Sequence, residues 1–150
     1  MRIKIGIINY GVSNLNSVIN SFNILGLDTI VINSIDKKFE CSHLILPGVG
    51  SFPRGMENII KYEFLENIKA WVQRGKPIFG ICLGMQLFAK IGNEFRETDG
   101  IGIIDGNIQK IKTKNPKTLI PHVGWNNIRE RNTSVLLKNI KCCFFLILIG

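Results

Sequence analysis

The sequence predicts an α/β fold in which a mainly parallel, doubly wound sheet is flanked by helices. Short apolar segments typical of buried strands alternate along the chain with segments whose apolar residues recur at helical spacing. Turn signals built from Asn, Gly and Pro separate these segments. Strands that are joined by helices of this length form right-handed crossovers and therefore pair in parallel.

The first three strands and the first helix are predicted in the N-terminal third of the chain. Ser13 is the expected N-cap of the helix, and Gly26 lies where a C-terminal glycine stop belongs. Apolar residues between them recur every three or four positions, as a helix with one buried face requires. The expected ranges are 2–8, 28–32 and 43–46 for the strands and 14–25 for the helix.

Three further helices and a fourth strand complete the predicted doubly wound part. From Gly100 onward, apolar segments punctuated by glycine are typical of antiparallel strands, which we expect to be added to the same sheet. Because no repeat or linker is found, residues 1–150 are expected to form a single domain. The expected ranges are 54–61, 63–74 and Leu83 to about Lys90 for the helices and 78–81 for the strand.

Composition is typical of a globular cytoplasmic protein. The chain is 45% hydrophobic and 20% charged over 150 residues, and no apolar run approaches the ~18 residues of a membrane-spanning helix. Lys and Arg are scattered, and the abundance of Ile, Asn and Lys, which share A/T-rich codons, accounts for the net charge of +8. We therefore expect a cytoplasmic protein that binds neither a membrane nor nucleic acid.

The four cysteines have the spacing of neither a zinc site nor a disulfide framework. Two of them are adjacent, and adjacent cysteines seldom bridge each other. We expect no metal and no other cofactor. The cysteines are Cys41, Cys82, Cys142 and Cys143.

Cys82 lies where a predicted strand runs into a predicted helix, and a glycine stands two residues away on either side. Gly-x-Cys-x-Gly has the spacing of a nucleophile elbow, in which small neighbours permit a sharp, strained turn that exposes the nucleophile. The turn would direct the N–H of Leu83 towards a developing oxyanion, and the start of the helix favours thiolate over thiol. The alternative is a small apolar residue that fills the core, but a core cysteine needs no such glycines.

A second glycine-rich loop, Pro47-Gly-Val-Gly-Ser-Phe-Pro53, also follows a predicted strand. Its glycines let the main chain pass close to a ligand, and the N–H of Val49 or Gly50 is a candidate second oxyanion donor. Taken alone, the loop has the features of an ordinary glycine-rich turn.

The two loops together carry a family resemblance. Pro-Gly-Val-Gly-Ser-Phe followed by Gly-Ile-Cys-Leu-Gly-Met-Gln resembles the class I, triad-type glutamine amidotransferases. Asn9-Tyr10-Gly11 and Pro121-His-Val-Gly-Trp-Asn126 narrow the likeness to the glutaminase subunits of imidazole glycerol phosphate synthase. The likeness runs collinearly from Met1 to about Ile140, and it implies a flavodoxin-like fold and a role in histidine biosynthesis.

The resemblance implies that Cys82 attacks the side-chain amide carbon of glutamine and that water hydrolyses the resulting thioester to glutamate. The main chain of Leu83, Val49 and Gly50 would hold the oxyanion. Ammonia would pass to a partner, the cyclase subunit, which forms imidazole glycerol phosphate and an aminoimidazole carboxamide ribotide (AICAR). The residues that would line the glutamine pocket are Gly48, Gly84 and Gln86.

The same resemblance implies an interface with the cyclase subunit, so that the two chains form a heterodimer. Ser13 departs from the family, which more often has Gly at this position, and we expect little effect from the change. The residues implied to lie near the interface are Asn9, Tyr10, Gly11, His122, Trp125 and Asn126.

The base that this mechanism requires has no candidate in the sequence. A cysteine needs a neighbouring base or cation to react as a thiolate at neutral pH. Of the two histidines, His43 begins a predicted strand and His122 belongs to the implied interface. Neither lies in the His-x-Glu pattern that supplies the family's base and its orienting carboxylate. We therefore expect the catalytic His and Glu to be absent from this chain, as parts of a missing C-terminal segment.

The end of the chain differs from the family. Residues 141–150 are strongly apolar, whereas the family continues with an aromatic strand that ends in His-Ser-Tyr. Permitted codons for residues 146–150, regrouped by one base, read His-Ser-Tyr-Trp. We interpret the tail as a shifted reading frame on an incomplete domain, and the alternative is a buried strand of a short protein.

Three other functions stay open at this level. One is an amidotransferase that supplies ammonia for the amination of surface-polysaccharide sugars, and another is a non-catalytic truncated subunit that keeps the interface. A cysteine peptidase on a similar sheet is the third, and it is disfavoured because the two loops together favour glutamine. Gene neighbours would separate the two amidotransferases, and glutamate release would separate an enzyme from a non-catalytic subunit.

Overall fold

Four parallel strands form the first sheet: β1 Lys4–Ile8, β2 Asp28–Ile32, β3 His43–Leu46 and β4 Ile78–Gly80, in the order β2-β1-β3-β4. The computed structural model describes residues 3–34 and 39–112, together with the backbone of residues 122–127 and 144–149. It divides the chain into two compact units, Met1–Gln109 and Lys110–Gly150. The single domain expected over the whole chain stays a prediction.

Helices cover both faces of this sheet, which confirms the mainly parallel, doubly wound fold. The helix α1 Leu15–Ile24 packs on one face, where Ile5, Ile7 and Ile45 are buried. The helices α2 Phe52–Lys61 and α3 Phe64–Gln73 pack on the other face. In the described part of the chain, no helix has the length and apolar character needed to cross a membrane. The apolar side chains that α2 and α3 contribute to the core are Phe52, Met56, Ile59, Phe64, Ile68 and Trp71.

The N-cap of helix α1 lies one residue later than predicted. Asn14, not Ser13, is the N-cap, and its side-chain oxygen accepts a hydrogen bond from the N–H of Ser17 at 3.4 Å. The prediction of Ser13 is wrong because an amide side chain at the next position reaches the free N–H groups of the first turn. The predicted glycine stop is confirmed: Gly26 has φ +69° and its N–H bonds to the carbonyl of Asn23 at 2.9 Å.

The fourth helix is much shorter than predicted. α4 covers Leu83–Gln86, and the chain then enters the strand β5 Ala89–Gly92 instead of continuing to about Lys90. Two long-range hydrogen bonds hold this segment extended, from the Gly100 N–H to the Lys90 carbonyl at 2.7 Å and from the Ile104 N–H to the Phe88 carbonyl at 2.8 Å. Tertiary pairing thus overrides the local helical pattern.

The strands around residue 100 form a sheet of their own in the first unit. β6 Thr98–Asp99 pairs antiparallel with β5, and β7 Ile104–Ile108 pairs with β5 in parallel. Of the strands predicted after residue 100, β7 pairs in parallel and lies outside the first sheet, so the expected antiparallel addition to that sheet is wrong for β7. In the second unit, β8 His122–Asn127 pairs antiparallel with β9 Phe144–Ile149.

Candidate active site

Cys82 occupies a sharp turn between β4 and α4. Its backbone has φ +54° and ψ −118°, a conformation that a residue with a side chain rarely adopts, and the residue is exposed. Holding such a conformation costs on the order of 1–3 kcal/mol, which the surrounding packing must supply. This is the strained strand-to-helix turn that the Gly-x-Cys-x-Gly pattern predicts.

The two flanking glycines permit this turn because α4 lies directly on the strand ends. A Cβ atom at Gly80 would stand 2.5 Å from the Met85 Cα and 2.6 Å from the Met85 N. A Cβ atom at Gly84 would overlap the carbonyl oxygen of Leu46. Both obstacles are backbone atoms that cannot move aside, so each position requires glycine.

The loop after β3 touches the turn at Cys82. A Cβ atom at Gly48 would collide with the Tyr10 hydroxyl and would stand 2.8 Å from the Gly84 N and 3.0 Å from the Leu83 Cβ. Val49 and Gly50, the next two residues, are exposed, and Gly50 has φ +104°. The structure therefore brings the two predicted oxyanion loops together.

The hydrogen bonds of these loops show which candidate oxyanion donors have a free N–H group. The Val49 N–H donates to the carbonyl of Val12 at 2.9 Å and is therefore occupied. The N–H groups of Leu83 and Gly50 have no acceptor among the described residues. Of the two alternatives considered for the second loop, Gly50 is the one whose N–H is available in this structure.

Sequence reasoning missed Glu94, which reaches this loop from the segment between β5 and β6. Its carboxylate accepts a hydrogen bond from the Phe52 N–H at 2.7 Å and so caps the start of α2. The contact joins residues 42 positions apart, and no local pattern signals it. Beside it lies an open cavity of ≈ 330 Å³, lined by Ser51, Pro53, Arg54, Glu57, Phe95 and Arg96.

The motif at the end of β1 is held from several sides. Asn9 donates its side-chain N–H to the Asn33 Oδ1 at 2.8 Å, and its Oδ1 accepts from the Gly11 N–H at 3.2 Å. Tyr10 is completely buried, and its carbonyl accepts from the Asn58 Nδ2 at 2.9 Å. Burial raises the pKa of Tyr10, and the charge of a Cys82 thiolate raises it further. Asn9 and Gly11 can reach a partner, whereas the Tyr10 side chain lies inside; their interface role stays a prediction.

His43, the histidine whose side chain the structure describes, lies away from Cys82. His43 begins β3, where its Nδ1 lies 3.0 Å from the Ser42 Oγ. Because Leu46 pairs with Gly80, His43 is displaced by roughly 10 Å towards the opposite end of the sheet. His122, Trp125 and Asn126 lie on β8 of the second unit.

Gln86, the remaining predicted pocket residue, ends α4 and is half-buried. No group of three or more His, Cys, Asp or Glu side chains that could hold a metal ion occurs among the described residues. Around Cys82, the described residues thus offer a thiol, two backbone N–H groups without an acceptor, and glycines that present only main chain.

Comparison with known proteins points to one family. The family model of the class-I glutamine amidotransferases matches residues 6–144. A solved structure described as glutamine amidotransferase has a TM-score of 0.66 and covers 82% of this chain and 62% of its own chain. Its sequence identity is 16%, so this likeness shows the fold alone.

Two curated relatives carry the same name. Imidazole glycerol phosphate synthase subunit HisH from Prochlorococcus marinus (strain MIT 9211) is 41% identical over 139 residues, which are 93% of this chain and 65% of the relative. The protein of that name from Lactococcus lactis subsp. lactis (strain IL1403) is 43% identical over 131 residues, which are 87% and 63%. The chain thus spans less than two thirds of the length of these relatives.

Proposed function

Because the chain belongs to the class-I glutamine amidotransferase family, we propose that it is a glutaminase, the ammonia-supplying subunit of imidazole glycerol phosphate synthase. The observation that carries this proposal is Cys82, exposed on a strained turn between two obligatory glycines. The names of the P. marinus and L. lactis relatives favour the histidine pathway over surface-polysaccharide amination.

The reaction begins at the Cys82 sulfur. The thiolate forms a bond to the side-chain amide carbon of glutamine, and the carbonyl π electrons move onto oxygen. When the oxyanion collapses, the carbon–nitrogen bond breaks, and the nitrogen takes up a proton and leaves as ammonia. Water then attacks the thioester carbon, which releases glutamate and restores the thiol.

Two main-chain donors would stabilise the oxyanion. Leu83 and Gly50 present N–H groups that have no acceptor in the described residues, and they lie on loops in contact with each other. Donors that are already oriented need no reorganisation when charge develops. The main chain of Gly48 and Gly84 would line the glutamine pocket, and the half-buried Gln86 would supply a side-chain amide to it.

The base has to come from outside the described side chains. His43, the one histidine among them, lies towards the opposite end of the sheet. This observation favours a second candidate, a non-catalytic subunit that keeps the glutamine site and the partner surface. In either case the proposed partner is the cyclase subunit, which would receive ammonia and form imidazole glycerol phosphate and AICAR. The proposed contacts are Asn9, Gly11, His122, Trp125 and Asn126, and the buried Tyr10 would hold its neighbours Asn9 and Gly11 in place.

Glutamate release tests the glutaminase. The 150-residue chain is mixed with a cyclase subunit and glutamine, beside Cys82→Ala. Turnover that Cys82→Ala abolishes supports the proposal and rejects the non-catalytic subunit, and turnover that survives the substitution rejects Cys82 as the nucleophile.

A covalent probe separates binding from turnover. A diazoketone analogue of glutamine alkylates a thiolate in a glutamine pocket without needing the second half-reaction. Labelling of Cys82 that glutamine suppresses, without glutamate release, identifies the non-catalytic subunit. Labelling that glutamine does not suppress contradicts a glutamine pocket.

A further inference from the structure

Tyr10 has a buried hydroxyl that the mechanism does not use. The side chain is 0% exposed, yet the Oη atom has no hydrogen-bond partner among the described residues. Buried hydroxyl groups are nearly always paired, because an unpaired one has lost its water without compensation. A group left in this condition next to a reactive residue calls for a functional explanation.

The hydroxyl lies where the two loops of the site meet. It occupies the space that a Cβ atom of Gly48 would need. A Cβ atom placed there would lie 2.8 Å from the Gly84 N and 3.0 Å from the Leu83 Cβ. Gly84 and Leu83 directly follow Cys82. Tyr10 therefore supports both loops from beneath, and its O–H bond can rotate because no acceptor holds it.

We propose that Tyr10 is a positioning residue of the Cys82 site, whose free hydroxyl turns towards negative charge that develops at the junction of the two loops. The proposal rests on the role of Cys82 as a nucleophile. In a buried environment with a low dielectric constant, a single oriented O–H dipole acts on a nearby charge more strongly than it would in water. Burial raises the pKa of Tyr10, so the phenol keeps its proton and stays a donor.

The test measures the reactivity of Cys82 in Tyr10→Phe, which deletes the hydroxyl and keeps the ring. Alkylation by iodoacetamide is followed at each cysteine by peptide mass spectrometry between pH 6 and 9.5. We expect the pH–rate profile of Cys82 to move to higher pH, so that alkylation at pH 7.5 slows about threefold, equivalent to a shift of about half a pH unit. Thermal stability should not fall, because the variant removes an unpaired hydroxyl.

Tyr62→Phe is the matched control, since Tyr62 is the chain's second tyrosine and is 41% exposed. It should leave the Cys82 profile unchanged, and Cys41 should react alike in all variants. An unchanged Cys82 profile in Tyr10→Phe overturns the proposal, as does an equal shift in Tyr62→Phe. The readout is thiol reactivity, so the proposal can fail while glutamine turnover is present, or hold while turnover is absent.

A second measurement serves if Tyr10→Phe does not fold. In Tyr62→Phe, Tyr10 is the one tyrosine left, so biosynthetic 3-fluorotyrosine labels it alone. We expect its ¹⁹F resonance to move as pH rises from 6 to 9.5 in the presence of Cys82 and to stay still in Cys82→Ala. A resonance that behaves identically in both proteins contradicts the proposed coupling.

Discussion

The backbone N–H of Val49 donates a hydrogen bond to the carbonyl oxygen of Val12 at 2.9 Å. This bond joins the loop after β3 to the loop after β1, at the carboxyl ends of the parallel strands, where Cys82 also lies. It occupies one of the two N–H groups that the sequence offers as a second oxyanion donor. Gly50 is thereby left as the candidate donor of this loop whose N–H has no acceptor among the described residues.

Gly50→Ala should therefore impair chemistry more than stability. Gly50 has φ +104° and no atom within 4 Å of an added Cβ, so the substitution introduces backbone strain without a clash. The strain should cost about 1–2 kcal/mol of folding free energy, and labelling of Cys82 by the diazoketone should fall by about tenfold or more as the donor moves. Gly26→Ala, with φ +69° and equally open space at the end of α1, should lose similar stability and label normally. Equal labelling in both variants would count against Gly50.

Gly84→Ala should unfold the site or the whole first unit. The added Cβ would overlap the Leu46 carbonyl oxygen, a backbone atom inside the sheet, and such overpacking costs roughly 3 kcal/mol or more where neighbours cannot shift. Gly106→Ala is the control, because an added Cβ there meets nothing within 4 Å. Urea unfolding compares the two variants, and a Gly84→Ala protein as stable as Gly106→Ala would show that α4 does not rest on β3.

Asn58→Ala should destabilise the protein by about 1–3 kcal/mol, because it leaves the Tyr10 carbonyl without a donor in a buried place. Asn58 is 6% exposed, and its Nδ2 lies 2.9 Å from that carbonyl oxygen. Asn67 makes a comparable bond to the Glu63 carbonyl at 3.3 Å, but in an exposed setting. Asn67→Ala should change the free energy of unfolding by less than about 0.5 kcal/mol. The two values, measured by chemical denaturation, should differ clearly.

Stability should fall at high pH because of Tyr10. Burial raises the pKa of this phenol above its ordinary value of about 10. Between the ordinary pKa and the raised pKa, the unfolded chain has lost the phenol proton and the folded chain has kept it. The free energy of unfolding therefore declines with rising pH. The decline is up to about 1.4 kcal/mol per pH unit. In Tyr10→Phe the decline between pH 10 and 11 should be smaller by about 1 kcal/mol, because the unfolded phenol is only half deprotonated at pH 10. In Tyr62→Phe the decline should persist. A wild-type slope in Tyr10→Phe would be the contrary result.

Phe79→Thr should reduce self-association. β4 lies at one end of the four-stranded sheet, and its Phe79 is 49% exposed. The backbone of an edge strand can pair with another chain, and an exposed apolar side chain on that strand strengthens the contact. Thr removes the apolar ring and keeps the preference for a strand. Analytical ultracentrifugation should show a smaller fraction of oligomers for Phe79→Thr than for the unsubstituted chain. An unchanged distribution would place the association elsewhere.

Sequence reasoning succeeded where local chemistry decides the structure. The ranges 28–32 and 43–46 are strands as predicted, and Gly26 ends α1. Short apolar runs and a glycine that accepts positive φ act on the residues beside them. Gly80 and Gly84 also predicted the sharp turn at Cys82, but for a different reason, because each leaves room for a backbone atom that comes close, of Met85 and of Leu46. The roles in catalysis and partner binding remain predictions that rest on the family.

Long-range contacts decided the rest. The end of α4 at Gln86 depends on strands that arrive later in the chain, and the bond from Phe52 to Glu94 joins segments 42 residues apart. Which oxyanion donor is free depends on Val12, and the place of the Tyr10 hydroxyl depends on Gly48. The sequence by itself determined that a cysteine would stand on a strained turn, since the Gly-x-Cys-x-Gly pattern lies within five consecutive residues. Only the tertiary structure decided which groups surround it, because hydrogen bonds and packing between distant segments depend on how the chain folds back on itself.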